Sequence, residues 1–147
     1  MIAGFIYRSC MSAESWNGPR VGCGVAVVRD GHLLLIRRTR PPEAGFWSLP
    51  GGKVDLWERI EATARREIAE EVGIQLGKLE LLCVVDQLTP GENAHWVSPT
   101  FLAEEFEGEA VLLEPEKHTG LGWFPLDALP SPLASSARGA VEALLSR

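Results

Sequence analysis

Cysteine is scarce in this chain, and Cys10, Cys23 and Cys83 stand far apart. An odd, scattered set builds neither a disulfide framework nor a zinc site, so free thiols are expected. His32, His95 and His118 also lack the pairwise spacing of metal ligands. No apolar run approaches the ~20 residues that a membrane-crossing helix needs. The opening Met1–Tyr7 has neither the basic start nor the length of a secretion signal. Cytoplasmic residence and no membrane partner are therefore expected. Positive charge is in short supply, with 14 Lys plus Arg against 20 Asp plus Glu and a net charge of −6. The single basic run is Arg37, Arg38 and Arg40. That argues against a nucleic acid polymer, which needs clustered cations to neutralise its phosphates. An acidic protein can still hold a polyphosphate where a metal and a few arginines supply local positive charge. Motifs for covalent catalysis and for a P-loop are missing too: there is no G-x-S-x-G, and the residues before Gly51-Gly52-Lys53 do not fit G-x-x-x-x-G-K-[ST].

What is present fits one soluble domain. The 147 residues are 46% hydrophobic and 23% charged, enough for a single sizeable core. Residues 1–19 have weak periodicity and end in the breaker cluster Asn17-Gly18-Pro19, so they are read as an extension to a domain over 20–147. Val21–Val28 and His32–Ile36 flank Asp30-Gly31, the signature of a hairpin. A Pro-rich loop follows over Thr39–Gly45, then a short strand over Phe46–Leu49. Leu79–Leu88 reads as a strand buried on both faces, Thr89–Asn93 as a turn, and His95–Glu104 as the return strand. Pro99 would put that return strand at an edge or beside a bulge. A last strand at Gly120–Phe124 precedes a helix capped by Ser135 or Ser136, with Ala137, Val141, Leu144 and Leu145 inward.

The chemistry concentrates in Gly52–Ile74. Residues from about Arg59 to Val72 are good helix formers, and Gly73 suits a C-cap. Ile60, Ala64, Ile68 and Val72 form the apolar stripe. Glu67, Glu70 and Glu71 lie at i, i+3 and i+4, so at ~100° per residue they share about a quarter of the circumference. Like charges at that spacing repel unless something neutralises them, and a hard divalent cation with oxygen ligands would do so, Mg²⁺ above all. An acidic solvent face balanced by Arg59, Arg65 and Arg66 is the competing explanation.

Gly52, Glu58, Arg66, Glu67, Ile68, Glu70, Glu71, Gly73 and Ile74 occupy every defined position of G-x5-E-x7-R-E-U-x-E-E-x-G-U, where U is aliphatic. The chain thereby resembles the Nudix hydrolases. The likeness extends from about Val21 to Leu129, with Glu114-Pro-Glu116-Lys-His and Trp123-Phe-Pro-Leu-Asp-Ala-Leu-Pro130 similar to the closing segment of MutT-like nucleoside triphosphate diphosphatases. It implies an α/β fold, an α/β/α sandwich with a mixed sheet between helices. It also implies Glu70 and Glu71 as metal ligands, Glu67 as ligand or water-activating base, and the carbonyl of Gly51 as a further ligand. Glu58 and Arg66 would form an ion pair locking loop to helix. Trp57 stands where the family often has Gly, and a positive φ there would strain it.

The resemblance implies a small-molecule nucleotide substrate, Mg²⁺ with Mn²⁺ as a substitute, and leaves a homodimer open. Arg38 is the candidate for a phosphate oxygen. Phe46 or Trp47 is the candidate for stacking on a base, unless either belongs to the core. Glu116 is the choice for an extra carboxylate from outside the helix, with Glu114 next. The expected reaction is hydrolysis of a nucleoside triphosphate to monophosphate and pyrophosphate. An ADP-ribose or nucleotide-sugar pyrophosphatase is the alternative, and a non-catalytic nucleotide sensor a third reading, disfavoured by the complete carboxylate set.

Overall fold

The computed structural model describes residues 17–147. Most of the extension read at 1–19, with Cys10, lies outside the described residues. In chain order the elements are β1 (Arg20–Arg29), β2 (His32–Arg38), β3 (Trp47–Ser48), β4 (Gly51–Lys53), α1 (Ile60–Val72), β5 (Gln75–Leu76), β6 (Glu80–Thr89), β7 (Ala94–Ala103), β8 (Phe106–Glu107), β9 (His118–Pro125) and α2 (Ser135–Leu145). Seven strands make one sheet in the order β3-β2-β1-β7-β6, with β4 added to β1 and β9 to β2. β1 and β7 run parallel while the other pairs are antiparallel, so the sheet is mixed.

Each face of the sheet carries one helix. Strand alternation sends Val25, Val27, Leu34 and Ile36 to one side, against Ala64, Ile68 and Val72 of α1. Ala26, Leu33 and Leu35 go to the other side, against Ala137, Ala140 and Val141 of α2. β1 and β2 are thus buried on both faces, and the chain is an α/β sandwich. The β1–β2 hairpin turns at Asp30 (φ 53°) and Gly31 (φ 73°), the two positive values that a type I′ turn demands.

Several expectations need correction. Ile60 is not part of the buried stripe of α1; it is 36% exposed, and Thr63 and Glu71 fill its place on the inward side. β6 is not buried on both faces, because it is the edge strand and leaves Leu81, Val84 and Leu88 exposed. Pro99 is not on an edge, since β7 runs between β1 and β6, but the expected bulge lies beside it, where the β6–β7 register shifts between Leu81 and Cys83. The proline is tolerated because the parallel ladder passes from Val21↔Val97 to Gly24↔Thr100 and skips Ser98 and Pro99. α2 lacks a serine cap: Ala134 occupies the cap position, and the carboxylate of Glu43 accepts the Ser135 backbone N–H at 2.8 Å and its hydroxyl at 2.6 Å. Leu145 of the same helix faces solvent.

Candidate active site

The site begins with a close approach of backbone. β4 lies along β1 with Gly52 opposite Cys23 and Gly51 opposite Gly24. A side chain on Gly51 would run into the Cys23 carbonyl, and one on Gly52 into the Glu67 carboxylate. Only glycine lets this loop lie between the strand and the acidic face of the helix. α1 ends where Gly73 turns left-handed (φ 72°) and its N–H bonds the carbonyls of Ile68 and Ala69.

Arg66 is the hub on the exposed side of that helix. Its Nε and Nη2 donate to Glu58 at 2.8 and 2.9 Å, a two-pronged pair. Its Nη1 donates to Glu67 at 2.7 Å and to Glu70 at 3.4 Å, and Nη2 also reaches the Lys53 carbonyl at 3.3 Å. Glu58 further accepts the Thr63 hydroxyl at 2.6 Å and the Asp55 N–H at 3.3 Å. These donors hold the Glu58 carboxyl down at about 2, with Arg66 the largest cause and Thr63 the next. Loop and helix are thereby tied at one carboxylate.

Beneath Arg66 the charge balance reverses. Glu71 is 5% exposed, and its Oε2 accepts the Gly51 N–H at 3.1 Å. Burial pushes its carboxyl well above the usual range, and the charges of Glu67 and Glu114 add to the effect. Glu67 is pushed up as well, by burial first, against the opposing pull of Arg66. The two carboxyls lie close enough to share a proton. Next to them the Cys23 thiol is pushed up to about 12, mainly by burial, then by Glu67 and Glu58. Such a thiol is inert at neutral pH.

Among the described residues, no three such side chains converge as a ready metal cage. Arg66 holds Glu67 and Glu70, and the Gly51 N–H holds Glu71. The donor set nevertheless suits a hard cation: oxygen ligands only, with a negative surplus that Arg66 offsets in part. A divalent ion would offset the rest.

A cleft of about 260 Å³ opens from the glycine loop, walled by Gly22, Gly24, Gly51, Gly52 and Lys53 on one side and by Gln87, Trp96, Ser98 and Ser136 on the other. Arg38 lines it, with Nε donating to the Pro42 carbonyl at 2.8 Å and Nη2 to the Arg40 carbonyl at 3.3 Å. Past Pro41, Pro42 and Trp96 the cleft continues into a wider depression of about 640 Å³.

The helix glutamates, Gly51, Glu58 and Arg66 come together as expected. Trp47 does not join them. Its indole packs in the core against Phe124, edge to face at 5.0 Å, and Trp96 is the aromatic residue on the cleft wall. The carboxylate of Glu116 is exposed, while its backbone carbonyl accepts the Thr39 hydroxyl at 3.0 Å. Glu114, paired with Lys117 at 2.9 Å, is the loop carboxylate whose charge reaches Glu71. Sequence reasoning missed Gln87, Ser98 and Ser136, which belong to no motif. The available signal was the pair Asp86-Gln87 interrupting the apolar residues of Leu79–Leu88.

The NUDIX domain family model matches residues 18–144, and the chain belongs to that family. A MutT NUDIX hydrolase from Burkholderia pseudomallei, known by crystal structure, is 54% identical, with a TM-score of 0.84 over 86% of this chain and 98% of that one. An oxidized purine nucleoside triphosphate hydrolase of Danio rerio is 34% identical over 106 residues, which are 72% of this chain and 66% of that protein. A putative 8-oxo-dGTP diphosphatase of Mycobacterium tuberculosis is 49% identical over 55 residues, 37% of this chain and only 39% of that relative's length. Hydrolases of this family generally use divalent metal ions. No described helix is long and apolar enough to cross a membrane.

Proposed function

We propose that the chain hydrolyses a nucleoside triphosphate to its monophosphate and pyrophosphate, in the cytoplasm, with Mg²⁺ as the cation and Mn²⁺ as a substitute. The observation that carries this reading is the placing of the Glu67 and Glu71 carboxylates against the Gly51–Gly52 loop, which itself lines a cleft of about 260 Å³. Glu70, Glu71 and the Gly51 carbonyl would hold the metal, with Glu67 either a further ligand or the base that activates water. Glu114 joins them in place of Glu116, because its charge is felt at Glu71. When bound, the cation neutralises phosphate oxygens and acidifies water.

The remaining work falls to the side chains. Water attacks phosphorus, a P–O bond of the anhydride breaks, and the leaving phosphate oxygen departs with the electron pair. Glu67 is suited to take the proton from water, since burial makes its carboxyl a better base than usual. Glu58 and Arg66 hold the loop against the helix while this happens. Arg38 has spent two of its five N–H donors on its own loop and keeps others for a phosphate oxygen.

The test is a panel of nucleoside triphosphates and ADP-ribose with and without Mg²⁺. At least one triphosphate is expected to give the higher kcat/KM and release pyrophosphate. ADP-ribose cleaved about tenfold better than every triphosphate would overturn the substrate while leaving the chemistry. No metal-dependent turnover of anything in the panel would leave a sensor.

A further inference from the structure

Two polar groups on the cleft wall have no fixed sense: Gln87 carries an amide and Ser98 a hydroxyl, so each offers both a donor and an acceptor and turns to suit. The Ser136 hydroxyl, by contrast, is held by the Ser48 hydroxyl at 3.1 Å and by the Leu49 N–H at 3.4 Å. Among the described residues the Gln87 side chain has no hydrogen-bond partner to set which way its amide points. The charged groups that line the cleft are held by their own loops or lie at its phosphate end. Glu43 is committed to Ser135 at the start of α2, and Arg38 holds the Pro42 and Arg40 carbonyls. Lys53 lies on the glycine loop, at the phosphate end of the cleft.

The layout of the wall follows from the strands. Gln87 on β6 stands directly opposite Trp96 on β7, and Val85 opposite Ser98. Period-two alternation puts all four on one face. Gly22 on β1 faces them: a Cβ there would meet the Ser98 hydroxyl at 3.0 Å and the Trp96 ring at 3.5 Å. Glycine at 22 therefore keeps open the space that Gln87 and Ser98 address. Trp96 supplies an aromatic surface, with the Arg20 guanidinium 5.9 Å from its ring centroid.

A site that separates one base from another holds its donors and acceptors in place, so that the wrong base leaves them unpaired. This wall does the opposite. We propose that the cleft accepts nucleobases of either hydrogen-bonding order, and that the Gln87 amide is the residue that sets this breadth. The inference rests on the nucleotide reading above. Turned one way, the amide meets the amino group and ring nitrogen of adenine or cytosine. Turned over, it meets the ring N–H and carbonyl of guanine or uracil. Among the described residues, the depression beyond Trp96 gives room for a base carrying an extra substituent.

The test compares kcat/KM for ATP, GTP, CTP and UTP in Mg²⁺ for the full chain, Gln87→Glu and Gln87→Ala. Ratios between substrates within one preparation cancel any inactive fraction, so a merely structural effect does not move them. The wild type is expected to keep all four within about tenfold. Gln87→Glu offers acceptors only, which suits the adjacent N–H donors of guanine, so its GTP-to-ATP ratio should rise about tenfold or more. Gln87→Ala should lower all four together. A wild-type preference for one base beyond about a hundredfold, or a GTP-to-ATP ratio that does not move in Gln87→Glu, would overturn the inference. Failure of the nucleotide reading looks different: the wild type then turns over none of the four.

Discussion

The backbone N–H of Gly51 donates to Glu71 Oε2 at 3.1 Å, joining the glycine loop to the buried end of the acidic helix face. That bond orients a carboxylate which burial and two neighbouring acids both disfavour as an anion. A buried acid with one donor and no cation is a poor structural device, since desolvation outweighs the single bond. Its placement makes sense as one half of a binding site.

Replacing Glu71 by Gln keeps an oxygen for the Gly51 N–H and removes the charge. Glu71→Gln and Glu70→Gln should each lower kcat in Mg²⁺ by about two orders of magnitude or more. The melting temperature of metal-free Glu71→Gln should match or exceed that of the wild type, because the amide has no charge to desolvate. Near-wild-type turnover in both variants, measured as pyrophosphate release, would remove the metal role from these residues.

Glu58 predicts an acid limit. Its folded value is about 2 against an ordinary 4.5, so the folded state binds its proton less readily than the unfolded chain does. The stabilisation is therefore complete above the ordinary value and is lost as pH falls toward the folded one. Thermal melts of wild type and Glu58→Gln should differ most near neutrality and converge as pH drops toward about 2. A gap that stays constant across that window would mean that Glu58 does not titrate with folding.

The loop before β9 offers a direct comparison. Glu114→Gln should lower kcat more than Glu116→Gln, because Glu114 is among the charges that push the Glu71 carboxyl up while the Glu116 carboxylate is exposed. Lys117 loses its partner in the first variant, so melting temperatures need to accompany the rates. The opposite order would return the role to Glu116.

Trp57 holds a left-handed conformation, φ 69°, with 93% of its surface exposed. The anticipated strain at this position is present, and no burial offsets it. Trp57→Gly should stabilise the protein by about 1 kcal/mol, the relief of a left-handed non-glycine less the added freedom of the unfolded chain. A chemical denaturation midpoint that falls in the variant would mean that the indole contributes more than its exposure indicates.

What could be read in advance was local. The spacing of Glu67, Glu70 and Glu71 is a property of one helix, and Gly73 marks its end, so both follow from adjacent residues. The cap on α2 does not: Glu43 lies 92 residues from Ser135, and no periodicity links them. Leu79–Leu88 looked buried because an apolar run carries no sign of whether a neighbour covers it. The turn at Thr89–Asn93 was legible for its own reason, Pro90 opening a 3-10 turn that Asn93 closes at φ 50°. Trp47 and Trp96 are alike in composition and opposite in role. Which one reaches the cleft depends on strand register, and register is a long-range outcome.

The parallel pairing of β1 with β7 also dictates the order in which the molecule can be put together. β1 ends at Arg29, and its neighbour starts only at Ala94. The acidic helix α1 and the Gly51–Gly52 loop both lie on the connection between them. A nascent chain therefore carries the whole carboxylate helix before Trp96, Ser98 and the second flank of β1 exist. Long loop closure precedes the reward of a parallel ladder, which makes such contacts late ones. Assembly thus delivers the anionic helix first and the chamber it serves last.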